Sequence, residues 1–83
     1  MTQKRILIAN RGEIALRIIR SAKEMDLHTI AVYSDADEDA LHTKRADESY
    51  YLGGSLPAES YRNLKKLVKA AEKTNADLVH PGY

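Results

Sequence analysis

Residues 4–20, KRILIANRGEIALRIIR, decide the fold, because a short apolar run turns directly into a helical pattern. Ile6 to Ala9 form a continuous apolar run whose length and following turn residues favour a buried strand. From Glu13 onward the apolar residues recur with the helical period. A strand that leads straight into a helix is typical of the first unit of an α/β fold.

The turn between strand and helix has the register of the dinucleotide motif G-x-G-x-x-G/A, with Asn10, Gly12 and Ala15 at its three fixed positions. Asn10 and Ala15 replace two of the glycines of the all-glycine form. Glu13 adds a carboxylate that would compete with a pyrophosphate at the helix N-terminus, although Asp35 stands where a ribose-binding acid is expected. We interpret the turn as structural and keep nucleotide binding as the alternative.

Strands and helices continue to alternate along the rest of the chain. Further strands are predicted at 29–33, 49–52 and 77–80, and helices at about 13–25, 37–44 and 60–75. Ser60 is the predicted N-cap of the last helix and Asn75 its left-handed C-terminal residue. The order β-α-β-α-β-α-β predicts an α/β fold, an open Rossmann-like parallel sheet in a three-layer arrangement.

Apolar periodicity also predicts which helix faces are buried. The first helix is expected to bury one stripe, with Ala15 and Ile19 beside it, and the last helix another. The stripe residues are Ile14, Ile18, Ala22 and Met25 in the first helix, and Leu64, Leu67, Val68 and Ala71 in the last. The last helix also carries four lysines that are expected to face solvent, namely Lys65, Lys66, Lys69 and Lys73.

The composition excludes several classes of protein. The 83 residues include 13 Lys and Arg against 12 Asp and Glu, a net charge of +1, which gives no support to nucleic-acid binding or a polybasic membrane peptide. The absence of cysteine rules out a disulfide framework, a thiolate nucleophile and a Cys-based zinc site. The first apolar run is too short for a signal peptide or a membrane span, so a cytoplasmic protein is expected.

Metal binding finds no support in the spacing of the acidic residues. Asp35, Asp37 and Asp39 match the start of an EF-hand loop. Its sixth and twelfth positions are Ala40 and Ala46, however, where calcium binding of that type needs Gly and Glu. We therefore interpret these acids as a solvated helix start.

The histidines are too far apart in sequence to form a recognisable metal motif. His28, His42 and His80 are widely spaced, and no metal site is predicted. His80 and Pro81 end the last predicted strand and are interpreted as a positioning turn.

One helical face is polar. Arg17, Arg20 and Glu24 share a face of the first helix, which suits either a solvated surface with Glu13–Arg17 and Arg20–Glu24 pairs or a polar interface.

Four stretches, taken together, carry a resemblance to a known family. ILIANRGEIALRIIRSAKEM, TIAVYSDADEDALHTKRADES, AESYRN and HPGY occur in this order and spacing across nearly the whole chain. They closely resemble the N-terminal part of biotin carboxylase, the ATP-dependent component of acetyl-CoA, propionyl-CoA and pyruvate carboxylases. Asp26 and Asn75 stand where that family often has glycine after a helix, and both residue types can adopt a positive φ.

The resemblance implies a function beyond what the residues themselves indicate. Residues 1–83 would be the domain that precedes an ATP-grasp domain, in a ligase that carboxylates biotin with ATP and bicarbonate. ATP and magnesium would be bound mainly downstream, with no catalytic residue in this chain and no cofactor held by it alone. A biotin carboxyl carrier, a carboxyltransferase component and a second copy, forming a homodimer, are the implied partners.

The resemblance also assigns roles to particular residues. Arg17, Arg20 and Glu24 match dimer-interface positions, and Tyr83 corresponds to a tyrosine near the biotin and bicarbonate site. The residues interpreted as structural turns are Asn10, Gly12, Ala15, His80, Pro81 and Gly82. Two alternatives stay open: a stand-alone nucleotide-binding regulatory module and a non-catalytic association domain.

Overall fold

A computed structural model of the chain describes residues 3–54 and 63–81. The elements follow one another as strand, helix, strand, short turns and helix, strand, helix and strand. They are β1 (Arg5–Ile8), α1 (Gly12–Glu24), β2 (His28–Ser34), a 3₁₀ turn (Asp35–Asp37), α2 (Leu41–Arg45), β3 (Glu48–Gly53), α3 (Leu64–Lys73) and β4 (Leu78–His80). The predicted strands agree with these bounds to within one residue.

The four strands found in these ranges form one parallel sheet in the order β3-β2-β1-β4. β1 lies in the middle, where Leu7 pairs with Ile30 of β2 on one side and with Val79 of β4 on the other. Helical crossovers connect the parallel strands, as parallel pairing requires. The predicted open parallel α/β sheet is therefore confirmed.

The sheet has an apolar core on each face. Leu7, Ile30 and Val32 point towards α3 and pack with Ala70, whereas Ile8 points to the opposite face and packs against α1. Burial of such an apolar side chain stabilises the folded state by about 1.5–3 kcal/mol. Since helices cover both faces, the three-layer prediction is confirmed.

Helix α1 is rotated relative to the predicted stripe. Ala15, Ile19 and Ala22 form its buried face, while Ile14 is 60% and Met25 71% exposed. The prediction that Ile14 and Met25 lie in the core is therefore wrong. Apolar residues occupy two adjoining stripes along this helix. The stripe that contains the small residues Ala15 and Ala22 faces the sheet, because small side chains let the helix lie close to it.

Helix α3 departs from its predicted face in the same way. Ala70 is buried and Leu67 is half-buried, but Leu64 is 75% and Val68 55% exposed, so the prediction that these two face the core is wrong. Its N-cap is Asn63, whose side chain accepts from the N–H of Lys66 at 3.2 Å. Ser60, the predicted N-cap, lies outside the described residues.

The lysines of α3 do not all face solvent. Lys65, Lys69 and Lys73 are exposed as expected, whereas Lys66 is half-buried. Its Nζ lies 2.8 Å from the position that a Cβ on Gly53 would take. The stem of Lys66 therefore folds back over the end of β3, a common arrangement for a long side chain with an apolar stem.

The segment predicted as a helix over 37–44 is divided in two. The 3₁₀ turn ends at Asp37, and α2 begins only at Leu41, with Ala40 as its extended N-cap. No acidic residue lies in the first turn of α2, so the expected match of acids to the helix dipole is wrong there. Asp37 instead forms an ion pair with Arg11.

Both long helices end in left-handed residues that are not glycine. Asp26 has φ 60° and Asn75 φ 56°, which confirms the conformation expected of each. The N–H of Leu27 donates to the carbonyl of Ala22 at 2.9 Å, and that of Ala76 to Ala71 at 2.9 Å. These are the six-to-one bonds of Schellman motifs, and they satisfy the terminal carbonyls of α1 and α3.

Candidate functional site

The candidate site lies at the carboxyl edge of the sheet, where ligands of open α/β folds bind. The turn after β1 meets the ends of β2 and β4 there. Side chains from residues far apart in sequence fix this turn through three contacts.

The first contact holds the start of α1. Gly12 has φ +65°, a left-handed conformation that favours glycine, and its N–H donates to Nδ1 of His42 at 3.4 Å. The other ring nitrogen of His42, Nε2, lies 3.4 Å from the carbonyl oxygen of Val32. Burial lowers the pKa of His42 below its ordinary value of 6.5, although the Val32 carbonyl and the Asp37 charge oppose this shift. A neutral ring with the proton on Nε2 satisfies both contacts.

The second contact is an ion pair across the turn. Nη2 of Arg11 donates to Oδ1 of Asp37 at 2.7 Å, and Asp37 is buried. The backbone carbonyl of Asp37 accepts from the N–H of Ala40 and from the hydroxyl of Thr43, both at 3.0 Å. The 3₁₀ turn is therefore built around an aspartate that anchors Arg11.

The third contact joins β1 to β4. Oδ1 of Asn10 lies 3.1 Å from Nδ1 of His80, and the N–H of Ala9 donates to the carbonyl of His80 at 3.1 Å. Asn10 is buried, whereas His80 and Pro81 are exposed. The turn after β1 and the end of β4 thus form one unit.

The predicted turn residues therefore differ in where the structure places them. Asn10, Gly12 and His80 meet at the carboxyl edge, while Ala15 is buried in the α1 core. Pro81 is exposed at the end of β4. Gly82 and Tyr83 lie outside the described residues, so the role assigned to Tyr83 stays a prediction.

The geometry of the turn differs from that of a phosphate cradle. The Gly12 N–H points to His42, and Arg11 is paired with Asp37. Asp35, the candidate ribose ligand, accepts a hydrogen bond from the hydroxyl of Tyr51. Each group that would recognise a nucleotide thus contacts another residue of the chain.

Other charged groups gather at the opposite, amino edge of the sheet. Glu48 accepts from Arg5 and, at 2.9 Å, from His28. Burial raises the pKa of Glu48, but these two partners outweigh it, so that pKa lies below 4.5. Asp47 accepts from the N–H and the hydroxyl of Thr29, both at 2.8 Å. These contacts tie strand ends together on the side remote from the candidate site.

Among residues 3–54 and 63–81, no group of three or more His, Cys, Asp or Glu side chains has an arrangement that could hold a metal ion. No helix in the same ranges combines the length and the apolar character needed to cross a membrane.

The predicted interface residues share one exposed face of α1. Arg17, Arg20 and Glu24 are all exposed, and Arg17 donates to Glu13 at 3.0 Å as expected of an i, i+4 pair. The expected Arg20–Glu24 pair is absent from the described ion pairs. Arg20 instead lines a groove of about 280 Å³ between α1 and α2. The other lining residues are Leu16, Ile19, Lys23, Leu41 and Arg45.

Sequence reasoning missed His42 and the pairing of Arg11 with Asp37. His42 lies 30 residues from Gly12 and Asp37 lies 26 from Arg11, so neither contact has a local spacing that would reveal it. The one signal in the sequence was Asn10, which stands where the dinucleotide motif has its first glycine. A polar side chain at this position favours a turn that is held by side-chain hydrogen bonds.

Comparison with known proteins gives a consistent result. Residues 2–83 match the family model described as the N-terminal domain of biotin carboxylase. The chain is 54% identical over 79 residues to Biotin carboxylase 2 of Bacillus subtilis (strain 168), covering 95% of this chain and 18% of that protein. It is 52% identical over 81 residues to a pyruvate carboxylase of Staphylococcus aureus, covering 96% of this chain and 7% of that protein.

The fold of the chain also agrees with that of a solved biotin carboxylase structure. The crystal structure of a biotin carboxylase–β,γ-ATP complex from Campylobacter jejuni superimposes with a TM-score of 0.90 at 52% identity, covering 99% of this chain and 18% of that one. The chain thus spans less than a fifth of the length of these relatives. A match that runs over nearly every residue, in sequence and in fold, shows that the chain belongs to the biotin carboxylase N-terminal domain family.

Proposed function

We propose that this chain is the N-terminal module of an ATP-dependent ligase that carboxylates biotin with bicarbonate. The observation that supports this most directly is the family match over residues 2–83. The ligase would combine the module with a downstream ATP-grasp domain. It would work with a biotin carboxyl carrier and a carboxyltransferase component, and the cytoplasm is its proposed location.

The described residues do not fit the magnesium and ATP of this reaction. Magnesium prefers carboxylate oxygens, and nucleotide phosphates need converging cations or N–H groups. Asp35 bonds to Tyr51 and Asp37 to Arg11, and the exposed lysines of α3 lie on the sheet face opposite α1. We therefore assign ATP and magnesium to the downstream part of the enzyme.

The module's proposed contribution is one wall of the active-site crevice. The carboxyl ends of β1 and β4 face the region where ligands of open α/β sheets bind. Tyr83 follows β4 by three residues and is proposed to lie near biotin and bicarbonate. Contacts among Asn10, Arg11 and Gly12 and their partners give this wall a fixed shape.

The proposed interface uses the other side of the module. The exposed face with Arg17, Arg20 and Glu24 is proposed to contact a second copy of the intact enzyme. Charged groups on such a surface set orientation and specificity in association.

Bicarbonate-dependent ATP hydrolysis with free biotin tests the function. It should be measured for the intact enzyme, for a variant lacking residues 1–83, and for this chain alone. The intact enzyme should turn over, and neither part should, because the cationic groups and the crevice wall are separated. Turnover by this chain above a boiled control would overturn the assignment of catalysis to the downstream part.

A further inference from the structure

His80 is attached to the turn after β1 through both its backbone and its side chain. Its carbonyl oxygen accepts from the N–H of Ala9 at 3.1 Å, which continues the β1–β4 ladder beyond Ile8. Its Nδ1 lies 3.1 Å from Oδ1 of Asn10, 70 residues away in sequence. Because one contact is made by the backbone of His80 and the other by its side chain, both the position of this residue and the direction of its ring are fixed.

The hydrogen-bond roles follow from the chemistry of the two groups. Oδ1 of Asn10 can only accept, so Nδ1 of His80 must carry the proton that is donated. In a neutral ring this leaves Nε2 as an acceptor. Asn10 is the buried partner and His80 the exposed one, so the asparagine belongs to the rigid framework and the histidine is the group being held.

The framework around Asn10 is itself fixed. Its neighbour Arg11 is paired with buried Asp37, and Gly12 donates to buried His42. Both contacts reach elements that follow β2, so the position of Asn10 depends on β2 and α2 as well as on β1.

The orientation of His80 matters for the path of the chain because the next residue is Pro81. A residue before proline is restricted to extended conformations, so the chain leaves β4 along a path set by His80. Tyr83 is only three residues further on, a distance of at most about 11 Å along the chain. The orientation of His80 therefore sets the direction in which the chain enters Pro81.

We propose that Asn10 is a positioning residue, which holds the His80 ring as the Nδ1–H tautomer and thereby fixes the end of β4 at Pro81. This inference rests on the proposed function, in which Tyr83 lies near biotin and bicarbonate. Positioning errors of about 1 Å can cost about 100-fold in rate. Loss of the Asn10 acceptor should therefore reduce reaction with biotin and leave ATP binding unchanged.

Kinetics of the intact enzyme provide the first test. Asn10→Leu removes the acceptor at nearly constant volume, Asn10→Asp keeps an acceptor oxygen, and Gln3→Leu removes an exposed amide at the opposite edge of the sheet as the matched control. Asn10→Leu should lower kcat/KM for free biotin at least tenfold, with KM for ATP changed less than twofold. Asn10→Asp should recover most of the loss, and Gln3→Leu should match the wild type.

The kinetic results that would overturn the proposal are equally definite. Unchanged kcat/KM for biotin in Asn10→Leu would show that the contact does not act on the site. Equal losses for biotin and ATP, not restored by Asn10→Asp, would show a general folding defect instead of positioning.

A spectroscopic test is independent of turnover. In ¹⁵N-histidine spectra of this chain, the neutral form of the His80 ring should carry its proton on Nδ1. In Asn10→Leu it should shift towards the Nε2–H form, with the circular dichroism unchanged. A predominantly Nε2–H ring in the wild type would overturn the proposal.

Tyr83→Ala separates this inference from the proposed function. If Tyr83→Ala leaves the kinetics with biotin unchanged while Asn10→Leu impairs them, the tyrosine assignment fails and the positioning role of Asn10 stands. If Tyr83→Ala impairs turnover and Asn10→Leu does not, the proposed function stands and the positioning role is overturned.

Discussion

The backbone N–H of Gly12 donates to Nδ1 of His42, so the first residue of α1 is fixed by a buried side chain of α2. The opposite nitrogen of the ring contacts the carbonyl of Val32 in β2. One imidazole thus links a strand and two helices, and it can do so only while Nδ1 is unprotonated.

Stability should therefore depend on the protonation of His42. Because its pKa is lowered in the folded state, the unfolded chain binds more protons than the folded chain as the pH falls below 6.5. The contribution of His42 is fully present above pH 6.5 and is lost as the pH falls towards the lowered pKa. The free energy of unfolding should fall by at most about 1.4 kcal/mol per pH unit in this window.

Urea unfolding of the wild type and of His42→Gln between pH 8 and pH 5 measures this effect. Asp37 and Arg11 lie beside residue 42 in both proteins, and the charged groups at the amino edge of the sheet are the same in both. The difference between the two curves therefore isolates His42. Parallel curves would mean that His42 does not couple folding to pH.

Gly12→Ala should destabilise the fold by about 1–2 kcal/mol, the cost of a left-handed conformation for a residue with a Cβ. The added Cβ would have no heavy atom within 4 Å beyond its immediate neighbours, so the backbone conformation is the only cause. Ser21→Ala, an exposed change in the same helix, should shift stability by less than about 0.5 kcal/mol. Thermal unfolding of both variants is the measurement, and equal values for the two would contradict the left-handed assignment.

NAD and ATP should not bind specifically at the turn after β1. The Gly12 N–H is directed at His42, and Glu13 places a negative charge in the first turn of α1. Amide chemical shifts during titration with each nucleotide provide the readout. Saturable shifts confined to residues 9–15 and Asp35 would restore the nucleotide-binding alternative.

Arg20→Glu should weaken self-association of the intact enzyme at least tenfold, because it reverses a charge on the proposed interface. Lys69→Glu makes the same charge change on exposed α3, across the sheet, and should have no effect. Sedimentation equilibrium gives the dimerisation constant of each variant. An unchanged constant in Arg20→Glu would count against the interface.

Local patterns were sufficient to predict the order of strands and helices. The run Ile6–Ala9 and the turn residues after it identified β1, because a buried central strand is apolar on both faces. The left-handed residues Asp26 and Asn75 were predictable as well, since few residue types other than glycine tolerate that conformation.

The rotation of the helices was not predictable from periodicity. Ile14 and Val68 belong to apolar stripes, yet both are exposed, because Ala15 and Ala70 mark the sides that approach the sheet. The sequence pattern shows which apolar residues lie on the same side of a helix. Which side faces the sheet is set by the turn that leads into the helix. For α1 that turn depends on the φ of Gly12.

The contacts of the candidate site were also beyond reach of the sequence. Arg11 and Asp37, or Asn10 and His80, meet only because parallel strands bring their carboxyl ends to one edge. The predicted topology placed these ends together, but it could not specify which side chains would pair. His42 appeared as an isolated polar residue and is in fact among the most buried of the chain.

The central place of β1 has a consequence for synthesis of the protein. Of the four strands, β1 leaves the ribosome first, yet one of its two neighbours is β4, and the contact of Arg5 with Asp77 joins residues that are 72 positions apart. Pairing of β1 with β2, and of β2 with β3, can begin early, while the edge of β1 that receives β4 stays open until β4 emerges. An open strand edge is a template for pairing with other chains. Chaperone binding and misassembly during translation should therefore compete with folding at the open edge of β1. A ribosomal pause placed before codon 78 should lengthen the time during which this edge is open.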